Sequence, residues 1–175
     1  MIALSIGQAR ADSVVVFNEI QYHPAKPDDP EWIELANLMT VNVDISNWRI
    51  RGGVDFDFPE GTVIEAGGFL VISNKPAPAG IEGGLAPWTG SLSNGGEQLR
   101  LRNNSGRLMN SISFSDGGDW PAGPDGSGAT LAKFDPNTAS SDARNWVTSS
   151  EVGGTPGARN FAVPGQKPTK RRRED

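Results

Sequence analysis

EWIEL at residues 31–35, followed by VDISNWRI at 43–50, decides how this chain folds. On an extended backbone Ile33 and Leu35 point one way and Trp32 and Glu34 the other, the period-2 pattern of a strand. In the second stretch Val43 and Ile45 share a parity, while Trp48 and Ile50 have the opposite one. The register must therefore shift between them, because a one-residue slip sends every later side chain to the other face. Ser46-Asn47 is the natural place for a bulge, since asparagine tolerates positive φ. Neither stretch has the i, i+3, i+4 spacing of an amphipathic helix.

Working outward, the same alternation recurs. In VVVFNEIQY (14–22), Val14, Val16, Ile20 and Tyr22 are expected on one face, with Asn18 as the polar exception. Further strands are predicted at FDF (56–58), FLVIS (69–73), EQLRLR (97–102), LMNSISF (108–114) and ATLAKF (129–134). Between them lie Pro59-Glu60-Gly61 and six Gly-Gly pairs, beginning at 52, 67, 83, 95, 117 and 153. The longest irregular stretches are 74–96 and 115–128, and Ser140–Arg144 is the only helical candidate. Short strands with Gly-rich punctuation read as a sandwich or barrel rather than a βαβ fold.

Length and composition agree. A chain of 175 residues is most simply one domain with ragged ends, large enough to bury one real core. Glycine and proline make 22 + 13 = 35 residues, above average usage and below a low-complexity fraction, as many turns between short strands require. There is no cysteine, so disulfide and thiol chemistry are excluded. The net charge of −5 is uneven: residues 165–175 hold five basic and two acidic groups, leaving about −8 on the rest. An acidic body argues against broad nucleic-acid binding, whose affinity comes from phosphate neutralisation. No stretch approaches the ~20 apolar residues of a membrane-spanning helix. MIALSIGQARA (1–11) is short and apolar and ends in Ala9-Arg10-Ala11, which suits a cleavage site but lacks a basic leader. Residues 1–12 read as a signal-peptide remnant or a plain leader, 13–163 as the domain, and 164–175 as a disordered basic tail.

NEIQYHP (18–24), EWIEL (31–35), VDISNWRI (43–50), FPEGTVIEAGGFLVIS (58–73) and GGTPGARN (153–160) occur in an order and spacing that resemble the bacterial form of the lamin tail domain. The likeness covers about residues 14–162; each motif alone is weak, and the ordered set is specific. Asn47 stands where that family usually has glycine, and Ala66 where it has proline, both compatible with the same turns. There is no heptad rod, so the filament biology of lamins does not carry over. The resemblance implies an immunoglobulin-like sandwich of about seven to nine antiparallel strands. It also implies a non-catalytic accessory module in secreted or envelope proteins, beside an enzymatic domain.

The motif residues have structural readings. Trp32 and Trp48 bring large buried area and need partners for their indole N–H groups. Glu19, Glu31 and Glu34 are expected to accept hydrogen bonds from neighbouring backbone or side chains, and Thr155-Pro156-Gly157 to pin the last segment against the sandwich.

Candidates for chemistry are few. His23 is the only histidine, precedes Pro24, and has no nucleophile-elbow sequence to serve. One histidine without cysteine gives zinc nothing to build on, and no glycine loop ends in Lys-Ser/Thr for a phosphate. The protein is therefore read as no enzyme, with no resident cofactor. Calcium is the one metal with an argument. Asp28, Asp29 and Glu31 cluster before one strand, and Asp116, Asp119 and Asp125 share a Gly-rich loop, though neither run fits an EF-hand. Solvated acidic loops are the alternative.

A second surface feature follows from the alternation. If Trp48, Ile50, Leu99 and Leu101 face inward, then Arg49, Arg51, Arg100 and Arg102 face out, with Arg107 nearby. Strands placed in one sheet would make a basic stripe on an acidic body, suited to a protein or polyanionic partner. The alternative is solubilising charge that also guards against edge pairing. The KRRR run at 170–173 reads as part of the solvated tail rather than an import signal. The expectation is thus a monomeric interaction or adhesion module, secreted or at the cell envelope, with a cytoplasmic location as the alternative. An autonomous binder of calcium or a polyanion is the competing function.

Overall fold

Asn18 interrupts the first strand, and that interruption decides which residues reach the core. The computed structural model describes residues 13–76 and 83–162. Strand β1 (Val15–Gln21) pairs antiparallel with β2 (Trp32–Asn37). Phe17 lies opposite Leu35 but Glu19 opposite Glu34, so Asn18 is the extra residue of a β-bulge. Val15 and Phe17 before it, and Ile20 and Tyr22 after it, consequently share the core face. The face expected for 14–22 is corrected accordingly: Val14 is exposed, and Val16 is buried outside the main core cluster. The backbone N–H of Phe17, beside the bulge, donates to Asn110 Oδ1 at 3.1 Å.

The remaining strands are β3 (Val43–Asp44), β4 (Arg49–Gly52), β5 (Val54–Asp57), β6 (Val63–Ile64), β7 (Phe69–Ser73), β8 (Thr89–Gly90), β9 (Gly96–Arg102), β10 (Leu108–Ser115), β11 (Leu131–Lys133) and β12 (Trp146–Thr148). They form two five-stranded sheets, ordered β12-β11-β1-β2-β7 and β10-β9-β4-β5-β8, with β3 and β6 paired apart. Every strand pairing is antiparallel. This is the immunoglobulin-like sandwich expected. Twelve strands are present among the described residues; β3, β6 and β8 have only two each, too short for alternation to reveal. The helical candidate is a single 3-10 turn at Ala143–Asn145, capped by the Asp142 carboxylate accepting from Arg144 N–H.

Between the sheets, Phe17, Ile33, Leu35 and Ile72 of the first meet Ile50, Leu99, Leu101 and Ile112 of the second in one apolar cluster. Each such side chain stabilises by roughly 1.5–3 kcal/mol when fully buried. Tyr22 and Phe114 add a tilted ring pair at 5.0 Å. The register shift between Ile45 and Trp48 is real, and it is a tight turn: Asn47 has φ 60, and Trp48 N–H donates to Ile45 O at 3.0 Å. That turn delivers both Ile45 and Trp48 to the core.

The outer face of the first sheet is also closed. Glu19 and Glu34 are fully buried there, beneath the segment that carries the Thr-Pro-Gly motif. Glu19 accepts from Thr155 N–H (3.1 Å), from Thr155 Oγ1 (3.2 Å) and from the Thr130 hydroxyl. Glu34 accepts from Asn18 Nδ2 at 2.7 Å and Gly157 N–H at 2.5 Å. The expected pinning of the last segment is therefore made by buried carboxyl groups. Gly154 permits it: with φ +65, a Cβ there would lie 2.3 Å from Glu19 Oε1. Desolvation raises the pKa of both carboxyls, Glu34 to about 8. Residues 1–12 and 164–175, including the KRRR run, lie outside the described residues.

Candidate functional site

Two interior strands of the second sheet carry the arginines. β4 and β9 are neighbours, and their register sets Arg49 opposite Arg102 and Arg51 opposite Arg100. The inward residues between them, Ile50, Leu99 and Leu101, are buried, so alternation turns the four arginines to the outer face. Gly52 lets the end of β4 approach: its φ is 145, and a Cβ would sit 1.8 Å from Gln98 O. The strands expected to share a sheet do share one, and the arginines face each other in pairs.

Like charges directly opposite across strands destabilise a sheet. Part of that repulsion is offset on the β5 side. Arg51 donates to Asp57 Oδ1 at 2.5 Å and stands 3.9 Å from Asp55 Oδ1. Arg51 also donates to Ile50 O and Phe56 O, at 2.8 and 3.1 Å. Arg102 donates to Gly106 O at 2.9 Å, and Arg100 to Gln98 Oε1. Arg49 differs, for its Nε is buried with no hydrogen-bond partner among the described residues. Arg107 is exposed in the turn before β10, its backbone N–H donating to Asn103 Oδ1 at 2.9 Å.

The acidic candidates are dispersed by comparison. Asp28 and Asp29 lie in the exposed turn before β2, where the Asp28 carbonyl accepts from Lys75 Nζ at 2.9 Å. Glu31 accepts from Leu92 N–H at 3.1 Å and Asn74 Nδ2 at 3.2 Å, which uses one oxygen for loop anchoring. Asp116 Oδ1 accepts from Ser115 Oγ at 3.2 Å, and Asp119 stands in the field of Arg144. Asp125 meets His23 Nδ1 at 2.5 Å, tying two loops together. Among the described residues, no three His, Cys, Asp or Glu side chains are grouped to hold a metal ion. No hydroxyl hydrogen-bonds to the His23 imidazole among those residues, so the ring pairs with a carboxylate without a nucleophile.

One concavity escaped the sequence reading. Phe134–Asn137 and Arg159–Ala162 enclose about 420 Å³ on the outer side of the first sheet. Phe134 is 65% exposed, and its ring meets that of Phe161 at 5.4 Å. Below it Lys133 is fully buried, donating to Ser140 Oγ at 2.9 Å and lying 5.8 Å from the Trp146 ring centre. The alternating pattern of ATLAKF placed Lys133 on a face without showing that later residues would cover it.

Comparison with known proteins bears on this geometry. No curated protein matches the chain. The family model for the Lamin Tail Domain matches residues 8–116, more than half of the 175 residues and inclusive of the whole arginine face. Among the described residues no helix is long and apolar enough to cross a membrane. With the family motifs, the antiparallel sandwich and this match in agreement, the chain belongs to the Lamin Tail Domain family, immunoglobulin-like modules that typically mediate protein interactions.

Proposed function

We propose that this chain is a non-catalytic interaction module that presents the outer face of its second sheet to an acidic protein partner. The observation that carries the reading is the in-register apposition of Arg49 with Arg102 and Arg51 with Arg100. Charges placed to guard against aggregation belong on edge strands, and β4 and β9 are interior. Solubilising charge alone does not call for four arginines in one block, where mutual repulsion lowers stability. A row of carboxylates laid across the block relieves that repulsion, and arginine forks suit carboxylates geometrically. The proposal also places the module in a secreted or envelope-associated bacterial protein, accessory to another domain.

The test compares the protein with an Arg49→Glu/Arg100→Glu variant, using polyglutamate as the acidic polypeptide probe and heparin as the glycan control. Expected is a loss of polyglutamate affinity of about tenfold or more, with binding that weakens steeply as salt rises. Melting temperature serves as the fold control, because the variant relieves two opposed arginine pairs between β4 and β9 while Arg49→Glu sets a carboxylate opposite Asp57. Unchanged polyglutamate affinity in the variant overturns the arginine face. Heparin binding without polyglutamate binding overturns the choice of a protein partner.

A further inference from the structure

Every open sheet ends in edges, and among the described residues one of the four here is long and has no further strand paired to it. β8 is two residues long and β12 three, too short to template a further strand. β7 is covered: Leu85 N–H donates to Val71 O at 2.9 Å, and Ser73 N–H donates to Leu85 O at 3.0 Å. β10 has eight residues, LMNSISFS, with no charge, proline or glycine among them. It ends its sheet, and among the described residues it pairs with β9 alone. Natural edges are usually blunted by lysine, proline, bulges or shortness. The one bulge in β10 lies between Leu108 and Asn110, leaving Ser111–Ser115 regular.

Its surroundings favour a strand-like ligand. Asn110, Ile112 and Phe114 are buried and anchor β10 to the core. Beside Ser113 an open groove of about 920 Å³ runs between Gly117–Trp120 and Ser141–Arg144. On the outer face Ser111 lies opposite Arg100 and Leu108 opposite Arg102. A strand added beyond β10 would run about 10 Å from β9, two strand spacings away. Small serines at 111 and 113 leave that gap open, so a glutamate on the added strand and an arginine on β9 meet across it. The groove at Ser113 is itself lined by Asp119 and the Asp142–Arg144 ion pair, where Arg144 donates to Asp142 Oδ2 at 2.7 Å. Acidic residues of a ligand therefore belong near Leu108–Ser111 and neutral ones near Ser113–Ser115.

We infer that β10 is a docking edge at which an extended peptide segment of the partner adds to the sheet as a further strand, its acidic half beside Arg100 and Arg102. The inference rests on the acidic partner proposed above and specifies how it binds. Main-chain hydrogen bonds supply affinity in this mode, and alternate side chains supply selectivity. A second copy of the chain is the less suitable occupant, because two β10 edges in register would bring two arginine rows towards one another.

The probe is a short synthetic peptide alternating glutamate and valine in one half and threonine and valine in the other. It is made with free amides and again N-methylated at alternate residues. Binding is measured by titration, and amide hydrogen exchange is followed along β10. Expected is binding with slowed exchange in Ser111–Ser115, and a loss of about tenfold or more on N-methylation of the residues facing β10. Equal binding of both methylation registers and the parent, without slowed exchange in β10, overturns edge addition while leaving the arginine face standing. Slowed exchange and methylation sensitivity that persist in the Arg100→Glu/Arg102→Glu variant retain the edge and overturn the acidic preference. Absence of binding at millimolar peptide, or sedimentation showing a β10-mediated dimer, also overturns the inference.

Discussion

Raising the pH from about 5 to about 9 is expected to weaken the fold, because folding buries a carboxyl that must then lose its proton. Burial pushes Glu34 from an ordinary 4.5 to about 8, against the lowering effect of hydrogen bonds from Asn18 and Gly157. Between those two values the folded protein holds a proton that the unfolded chain has released. Stability from this group is thus complete below about 4.5 and is lost as pH rises through about 8. At ~1.4 kcal/mol per pH unit, the interval from 4.5 to about 8 gives a ceiling of ~5 kcal/mol, of which ~4 kcal/mol falls between about pH 5 and 9. Lifting of the 154–160 segment would admit water before the full penalty is met, so the observed loss should be on the order of 2–4 kcal/mol. Glu19 and Glu31 are raised by burial too and act in the same direction, while Asp44 and Asp142 are lowered and matter only in more acid solution. The assay is urea unfolding across the pH range, with Glu34→Gln as the comparison. The glutamine must turn its NH₂ towards Asn18 Nδ2 or Gly157 N–H, so that variant should be weaker at low pH but flatter with pH. Stability that is level or rising from about pH 5 to 9, or a Glu34→Gln protein that keeps the full slope, would refute the reasoning.

Three further outcomes follow from the same contacts. Gly154→Ala should cost about 1–3 kcal/mol, since its Cβ meets Glu19 Oε1 at 2.3 Å at a positive φ; an unchanged urea midpoint would contradict the packing described. Asn110→Ala removes the acceptor of Phe17 N–H from a buried site, and a loss of roughly 1–3 kcal/mol is expected in the same assay. Calcium should give no binding heat in calorimetry and no melting shift, because among the described residues the acidic side chains are not grouped for a metal. A measurable calcium-dependent rise in melting temperature would show that the loops rearrange into a site.

The arginine face illustrates how little of a charged surface can be read one strand at a time. Each of β4 and β9 announces an outward arginine pair through its own alternation. Whether the pairs are neighbours, and whether their strands are interior or at an edge, depends on sheet order. Sheet order here joins residues about fifty positions apart, and it changes the meaning of the charges. On an edge they would be protective; in the interior, in register, they are a concentrated and partly unrelieved positive field.

What the sequence by itself determined was the strand class, the turns and the family. Ile33 with Leu35, the shift between Ile45 and Trp48, and the Gly-Gly pairs are local signals, written in neighbours whose spacing the backbone enforces. Three things were left to the tertiary structure. The bulge at Asn18 moved Val15 and Phe17 inward, because strand alternation does not mark where an extra residue is tolerated; pairing with β2 does. Glu19 and Glu34 became buried acceptors because Thr155 and Gly157, more than a hundred residues later, close over them. Lastly, four arginines became one face, and β10 the last strand of its sheet among the described residues, only when the order β10-β9-β4-β5-β8 was in place. A period of two says that side chains alternate; it does not say which side is covered, or by whom.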